Sequence, residues 1–314
     1  MQRDSKIYVA GHTGLVGSAI VRRLINDGYT NIITINHEEL DLLRQSDVEG
    51  FFKTTKPQYV ILAAGRVGGI RANMSMPANF IYENLMIQTN VIHSAYLFGA
   101  AKLLFLSSAC SYPRECSQPM KEESLLSGYL EPTNEPYAVA KVAGIKMCQA
   151  YNRQYGVNFI CAVPANLYGQ NDNFNPEDSH VIPALIMKFH EAKIKRKPAV
   201  TVWGTGKPVR EVMYVDDLAD ACLFLMRHYD QEDIINIGVG EEISIQKLMF
   251  LVKEVVGYNG GLIFDASNPD GFPRKSLDIS KLTKLGWQAE TPLKEGLQKT
   301  YDWYLKNLTE INTK

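Results

Sequence analysis

What is scarce in this chain narrows its class before any motif is read. Cysteine is sparse: Cys110, Cys116, Cys148, Cys161 and Cys222 are five residues scattered over 314, with no CxxC spacing. An odd, dispersed set argues against a disulfide framework or a zinc site and fits reduced thiols; no metal is expected. No apolar run approaches the roughly 18 residues that a membrane-spanning helix needs, and no secretory leader pattern is read at the start. The expectation is a cytoplasmic protein without membrane contact. An excess of one charge is also missing: 33 Lys and Arg stand against 34 Asp and Glu, a formal net charge of -1. No basic field therefore points to nucleic acid, and the short run at 193–197 reads as a solvated helix end. Internal repeats and low-complexity tracts are absent as well.

What is present is an ordinary core-forming composition, 46% hydrophobic and 21% charged, long enough to bury a large interior. Apolar runs at 6–10, 31–35, 59–65 and 103–106, and a last one ending near Val163, alternate with helical patterns. That alternation predicts an α/β fold, a Rossmann-type doubly wound parallel sheet with helices on both faces. The second half is less regular and predicts a smaller mixed α/β part. Residues 1–165 are read as a dinucleotide-binding domain to which later segments return, and 166–314 as mainly substrate-binding.

The first strand runs directly into Gly11, His12, Thr13, Gly14, Leu15, Val16 and Gly17, then a helical pattern. Strand, glycine turn and helix form the setting in which a glycine fingerprint carries meaning. Gly11 and Gly14 allow a tight turn and close approach of a pyrophosphate; Gly17 allows the helix to pack against the strand. The second strand ends in Asn36, His37, Glu38, Glu39, Leu40, Asp41 and Leu42. Its tip offers neither the carboxylate of an NAD site nor the arginine of an NADP site, so these residues leave the cofactor open.

Chemistry is concentrated between residues 107 and 141. Ser107, Ser108, Ala109 and Cys110 follow the apolar run that ends at Leu106. Tyr137 and Lys141, four apart, share one helical face. The ammonium is expected to favour phenolate, drawing the Tyr137 pKa down from about 10 toward working pH. The Ser108 hydroxyl can bind the same carbonyl oxygen that the phenol protonates. Such a set suits reduction of a ketone or oxidation of an alcohol, although a Tyr-x3-Lys pair by itself arises on many helices by chance. Further on, a polar loop at 170–179 delivers His180. Loops carrying Trp203, Arg210, Asp270 and Lys275 suit a charged, ring-bearing ligand such as a nucleoside diphosphate.

Taken together, Gly11-x2-Gly14-x2-Gly17, Ser108 and Tyr137-x3-Lys141 resemble the extended short-chain dehydrogenase/reductase superfamily, in its nucleotide-sugar branch. The stretches 67–70, 79–82, 130–138, 151–156, 179–185 and 264–267 bring the resemblance closer, to the GDP-L-fucose synthase family. It spans nearly the whole chain. The resemblance implies 3,5-epimerisation of GDP-4-keto-6-deoxy-D-mannose followed by NADPH-dependent reduction at C4. Tyr137 would be the acid at the C4 oxygen, Lys141 its pKa partner and ribose ligand, and Ser108 the second donor. Cys110 and His180 would be the acid–base pair for C3 and C5. Leu106, Ser107, Ala109, Pro164, Ala165, Asn166 and Leu167 would line the cofactor, with His37, Asp41 and Leu42. Lys188, Trp203, Arg210, Asp270 and Lys275 would hold the GDP-sugar. A homodimer is implied, through helices near 84–98 and 137–155.

Departures from the family pattern matter. The family often carries arginine where this chain has Thr13, and again at the end of the second strand; NADP stays the expected cofactor, with NAD use beside it left open and Arg66 or His37 as partial substitutes. Ala109 and Ala165 replace polar residues, which keeps a related GDP-4-keto-6-deoxy-hexose or -heptose C4-reductase or epimerase of the same superfamily as the alternative. A 4,6-dehydratase would show a Thr-Asp-Glu run where Ser108-Ala109-Cys110 stands; a plain C4-reductase would lack the Cys110/His180 pair; an idle dinucleotide-binding scaffold would not keep Ser108, Tyr137 and Lys141.

Overall fold

The computed structural model describes residues 1–175, 179–265 and 272–311. In chain order the first half consists of β1 (Ile7–Ala10), α1 (Leu15–Asn26), β2 (Ile32–Ile33), α2 (Gln45–Thr55), β3 (Tyr59–Leu62), α3 (Ile70–Ser75), α4 (Pro77–Leu97), β4 (Lys102–Leu106), α5 (Glu135–Tyr155) and β5 (Phe159–Pro164). The second half adds β6 (Asn166–Tyr168), α6 (Val181–Ile194), β7 (Ala199–Trp203), β8 (Val209–Arg210), β9 (Val212–Tyr214), α7 (Val215–His228) and β10 (Ile235–Ile237). It closes with β11 (Ile243–Ser244), α8 (Ile245–Val256), β12 (Gly261–Asp265), β13 (Arg274–Lys275), α9 (Ser280–Lys284), α10 (Leu293–Lys306) and α11 (Leu308–Ile311).

Six strands form the main sheet in the order β10-β5-β4-β3-β1-β2, every neighbour parallel. The doubly wound parallel sheet expected from the alternation is therefore present. α1 packs with α7, while α4 packs with α5 and α2. Covered on both faces, the central strands are apolar almost without interruption, as in Leu103 to Leu106 and Phe159 to Val163, all buried. Lys102 is the exception that explains itself. Its buried ammonium donates to the carbonyls of Leu225 (3.0 Å) and Tyr229 (2.6 Å) and to Asp230 (2.7 Å) at the C-terminal end of α7.

Two strand and helix limits differ from the sequence reading. β2 shortens to Ile32–Ile33. α4 begins at Pro77, well before residue 84, because proline is at home in a first helical turn where its missing N–H is not needed.

Beyond the sheet, short pairs β7/β12 and β6/β9 and the three-stranded β11-β8-β13 surround a second buried cluster that includes Phe189, Val202, Leu248 and Tyr301. Glu211 ties this layer to the sheet edge. Its buried carboxylate accepts the backbone N–H groups of Val239 (2.7 Å), Gly240 (2.9 Å) and Leu277 (2.8 Å). The neighbouring Arg210 and Lys275 are thereby held at the carboxyl ends of the main strands, where doubly wound sheets place their sites. Among the described residues no helix is long and apolar enough to cross a membrane.

Candidate active site

One cleft of about 2460 Å³ opens at the carboxyl ends of the strands. Its wall brings together most of what the sequence singled out. Gly11 to Gly17, His37, Asp41 and Leu42 line one end, and Leu106 to Cys110, Tyr137, Lys141 and Pro164 to Leu167 the middle. His180, Lys188, Arg210 and Lys275 belong to the same wall. Asp270 lies outside the described residues, and of Trp203 only the backbone, at the end of β7, is placed.

The glycine turn fits a dinucleotide for a geometric reason. Gly11 sits at φ +83°, and a Cβ on it would stand 2.7 Å from the Ala64 backbone. A Cβ on Gly17 would lie 2.0 Å from the Gly11 carbonyl oxygen. Side chains are thus excluded where α1 meets β1. Gly14 caps α1 with no side-chain hydrogen bond, and the first turn carries no acidic residue. The N–H groups that begin α1 face the cleft unscreened, which is the arrangement that receives a pyrophosphate.

At the end of β4, Ser108 begins a one-turn 3₁₀ helix, Ala109–Ser111. The turn folds Cys110 back on Ser108, so that Sγ and Oγ lie 2.9 Å apart. Ser107 is pinned separately, its hydroxyl 2.9 Å from that of Ser111. The Ser108 hydroxyl also hydrogen-bonds the Tyr137 phenol, whose ring meets Phe80 edge-on at 6.3 Å. Serine, cysteine and tyrosine are therefore one hydrogen-bonded cluster.

The sequence expectation for Tyr137 needs correction. Its pKa is raised, not lowered: burial dominates, and the nearby Cys110 adds to it, while the Ser108 hydrogen bond opposes. Lys141 does not offset this because its own ammonium is buried and turned elsewhere. It donates to the Leu106 carbonyl at 3.1 Å, lies 5.7 Å from the Tyr137 ring centre, and burial brings its pKa down to about 8. In this state Tyr137 is a firmly protonated phenol, suited to giving a proton.

His180 precedes α6 at its N-cap position. Much of its surface is open to the cleft, yet protein packed about the ring lowers its pKa below the ordinary 6.5. A neutral imidazole at neutral pH can accept or donate. Arg210 turns one guanidinium nitrogen to the carbonyls of Val209 (2.8 Å) and Phe272 (2.6 Å) and is partly desolvated. Lys188 is held below its ordinary pKa by desolvation and by Lys197.

The structure also adds residues. Arg114 lines the cleft through its pairing with Glu131 (3.6 Å), which itself accepts from the Thr133 hydroxyl (3.1 Å). Glu131 and Thr133 fall inside the 130–138 stretch that carries the resemblance, but nothing local marks Arg114. Arg66, considered as a phosphate partner, is committed: Glu83 takes its Nη1 at 2.9 and 3.0 Å, and its guanidinium stands over Phe80. Among the described residues no group of His, Cys, Asp and Glu is placed to hold a metal ion.

A parallel doubly wound sheet, a glycine turn at its first crossover and a Ser/Tyr/Lys set at the strand ends define a dinucleotide-dependent enzyme of the short-chain type. The chain belongs to the NAD dependent epimerase/dehydratase family, whose model matches residues 7–238. Within it the likeness is specific. GDP-L-fucose synthase 1 of Arabidopsis thaliana is 59% identical over 306 residues, covering 98% of this chain and 95% of that protein. Among solved structures, a GDP-6-OMe-4-keto-L-xylo-heptose reductase from C. jejuni superimposes with a TM-score of 0.93 at 40% identity, covering 98% and 99% of the two chains. A GDP-L-fucose synthetase from Naegleria fowleri bound to NADP gives 0.93 at 30% identity, covering 98% and 95%.

Proposed function

We propose that this protein converts GDP-4-keto-6-deoxy-D-mannose into GDP-L-fucose, by epimerisation at C3 and C5 followed by NADPH-dependent reduction at C4. The observation that carries the reading is the hydrogen-bonded cluster of Cys110, Ser108 and Tyr137 in one cleft with His180. The relatives' names point the same way.

The Gly11 to Gly17 turn, the β2 end and residues 106–109 and 164–167 would hold the dinucleotide, which when bound supplies hydride to C4. The rest is the work of this chain's side chains. Ser108 and Tyr137 hydrogen-bond the C4 oxygen and stabilise the enolate that forms when a proton leaves C3 or C5. Cys110 and His180 form the pair that removes that proton and returns one to the opposite face. In the reductive step Tyr137 gives its proton to the C4 oxygen, a role that its raised pKa suits. Lys141, its ammonium held beside β4 by the Leu106 carbonyl, binds the ribose. Lys188, Arg210 and Lys275 receive the GDP moiety, with Arg210 at the diphosphate; Trp203 and Asp270 are assigned to it by family position.

A second reading, C4 reduction of a GDP-4-keto-heptose, draws on the likeness to the C. jejuni reductase and on the small Ala109 and Ala165. For the assembly we propose a homodimer through α4 and α5, whose exposed Tyr82, Leu97 and Val139 supply apolar surface. The location proposed is the cytoplasm, where five free thiols are at home.

The decisive experiment incubates GDP-4-keto-6-deoxy-D-mannose in deuterated water with and without NADPH, read by NMR and mass spectrometry. Deuterium at C3 and C5, and GDP-L-fucose only with NADPH, is the expected result. Reduction without deuterium would overturn the epimerase half; turnover of the heptose analogue alone would establish the second reading.

A further inference from the structure

The loop between β6 and α6 ends on His180 and is fastened to two different parts of the molecule. Asn171 stands in the left-handed region at φ +62°, which asparagine and glycine tolerate better than other residues. From there its Nδ2 donates to the Ser18 hydroxyl at 3.0 Å. Three residues later Phe174 is buried, its ring centre 4.9 Å from that of Tyr304 and 5.9 Å from that of Trp303 on α10. Short-range hydrogen bonds lead on toward His180. Asp172 Oδ1 accepts the Asn173 N–H (2.7 Å), Asn173 Oδ1 the Asn175 N–H (3.0 Å), and the Asn175 carbonyl the Ser179 N–H (3.0 Å). Ser18, at the other end, lies in the first turn of α1, directly after the glycine turn. Its hydroxyl donates to the Leu15 carbonyl (3.2 Å) and accepts from Asn171 and from Arg22 Nη1 (3.2 Å), so its bonding capacity is filled. Arg22 is held in turn by Asp216 of α7 at 2.6 Å.

We propose that Asn171 is a positioning residue that couples the dinucleotide site to His180, so that an occupied dinucleotide site speeds proton exchange at C3 and C5. The inference rests on the epimerase reading given above. The N–H groups that open α1 have no partner within the helix. A pyrophosphate satisfies them and fixes the turn from Leu15 to Ser18. Ser18 then offers Asn171 a fixed acceptor, and the loop holds the imidazole at one place in the cleft. With the site empty the same turn frays, as helix ends do, and the aim of His180 at the sugar carbon loosens. Small losses of aim are costly to a proton transfer that needs close approach. Phe174 keeps the loop seated on α10 in both states, so the coupling concerns the direction of one side chain and not the folding of the loop. The consequence is an order of events: the ketone is epimerised when the dinucleotide that will reduce it is already in place.

The test follows deuterium uptake at C3 and C5 of GDP-4-keto-6-deoxy-D-mannose in deuterated water, without dinucleotide and with saturating NADP⁺, which cannot reduce the ketone. Wild type, Asn171→Gly, Ser18→Ala and the double variant are compared. Glycine accepts the left-handed backbone at 171 and alanine suits the helix at 18, so neither change opposes the fold. In wild type NADP⁺ should raise the uptake rate about fivefold, the scale of one hydrogen bond and of ordinary coupling between sites. Each single variant should keep the dinucleotide-free rate and lose the rise. The double variant should match the singles, as one shared contact requires. NADP⁺ affinity of the substrate-free variants, by isothermal titration calorimetry, should stay near wild type. Amide hydrogen exchange gives a reading independent of turnover: NADP⁺ should protect the segment 170–175 in wild type and not in Asn171→Gly. Uptake indifferent to NADP⁺ in wild type, or a rise that Asn171→Gly retains, would overturn the proposal alone. No uptake under any condition would overturn the epimerase reading and the proposal with it.

Discussion

The ammonium of Lys141 points at the carbonyl oxygen of Leu106, 3.1 Å away, and not at the phenol of Tyr137, whose ring centre lies 5.7 Å off. One consequence is a division of labour. Tyr137 keeps its proton across the ordinary pH range because burial raises its pKa, while Lys141, brought down to about 8 by burial, is the member that titrates.

The pH profile of reduction should reflect this. Below about pH 8 Lys141 is charged and can engage the cofactor ribose; above it the charge is lost. kcat/KM for NADPH-dependent reduction should therefore fall as pH rises through about 8. A profile flat to pH 10 would remove Lys141 from the pH-dependent step.

Replacing Tyr137 by Phe removes the proton donor while keeping the ring against Phe80. Reduction should drop by roughly 10²–10⁴-fold, the range for loss of a general acid. NADPH affinity, measured by fluorescence titration, should change little.

Cys110→Ser keeps a hydrogen-bonding atom next to Ser108 but removes the thiol. Deuterium incorporation at C3 and C5 should be lost or strongly slowed, with the melting temperature and NADPH affinity near wild type. Unchanged incorporation would leave Cys110 a structural neighbour of Ser108.

Gly17→Ala tests the fit of α1 against the glycine turn. The new methyl would lie 2.0 Å from the Gly11 carbonyl oxygen, so backbone must move. A loss of about 1–3 kcal/mol is expected for such overpacking, read as a lower urea midpoint at constant m-value, together with weaker dinucleotide binding.

Lys102→Met should act on stability alone. It leaves the carbonyls of Leu225 and Tyr229 without their donor in a buried place, at a cost of about 1–3 kcal/mol. kcat should stay within twofold when measured well below the melting temperature.

How far the site could be read in advance differs from residue to residue. Ser108, Tyr137 and Lys141 stand in local patterns, a strand end and an i, i+4 pair, and the pattern implies the face they share. The Cys110–Ser108 contact follows from a turn of three residues. Arg114 had no signal, because its place in the cleft depends on Glu131 arriving from another loop. Arg66 looked free in sequence and is taken by Glu83 one helix later.

The sequence by itself determined the order of strands and helices, the glycine turn and the candidate reacting groups, since periodicity and close backbone approach are properties of neighbouring residues. Tertiary structure alone decided which groups are charged. Burial and the Leu106 carbonyl, reached through the packing of α5 on β4, set the proton affinities of Tyr137 and Lys141 in a direction that spacing along a helix cannot show. Desolvation and charge pairing depend on what the folded chain brings alongside a residue, and neither is written in the residue itself.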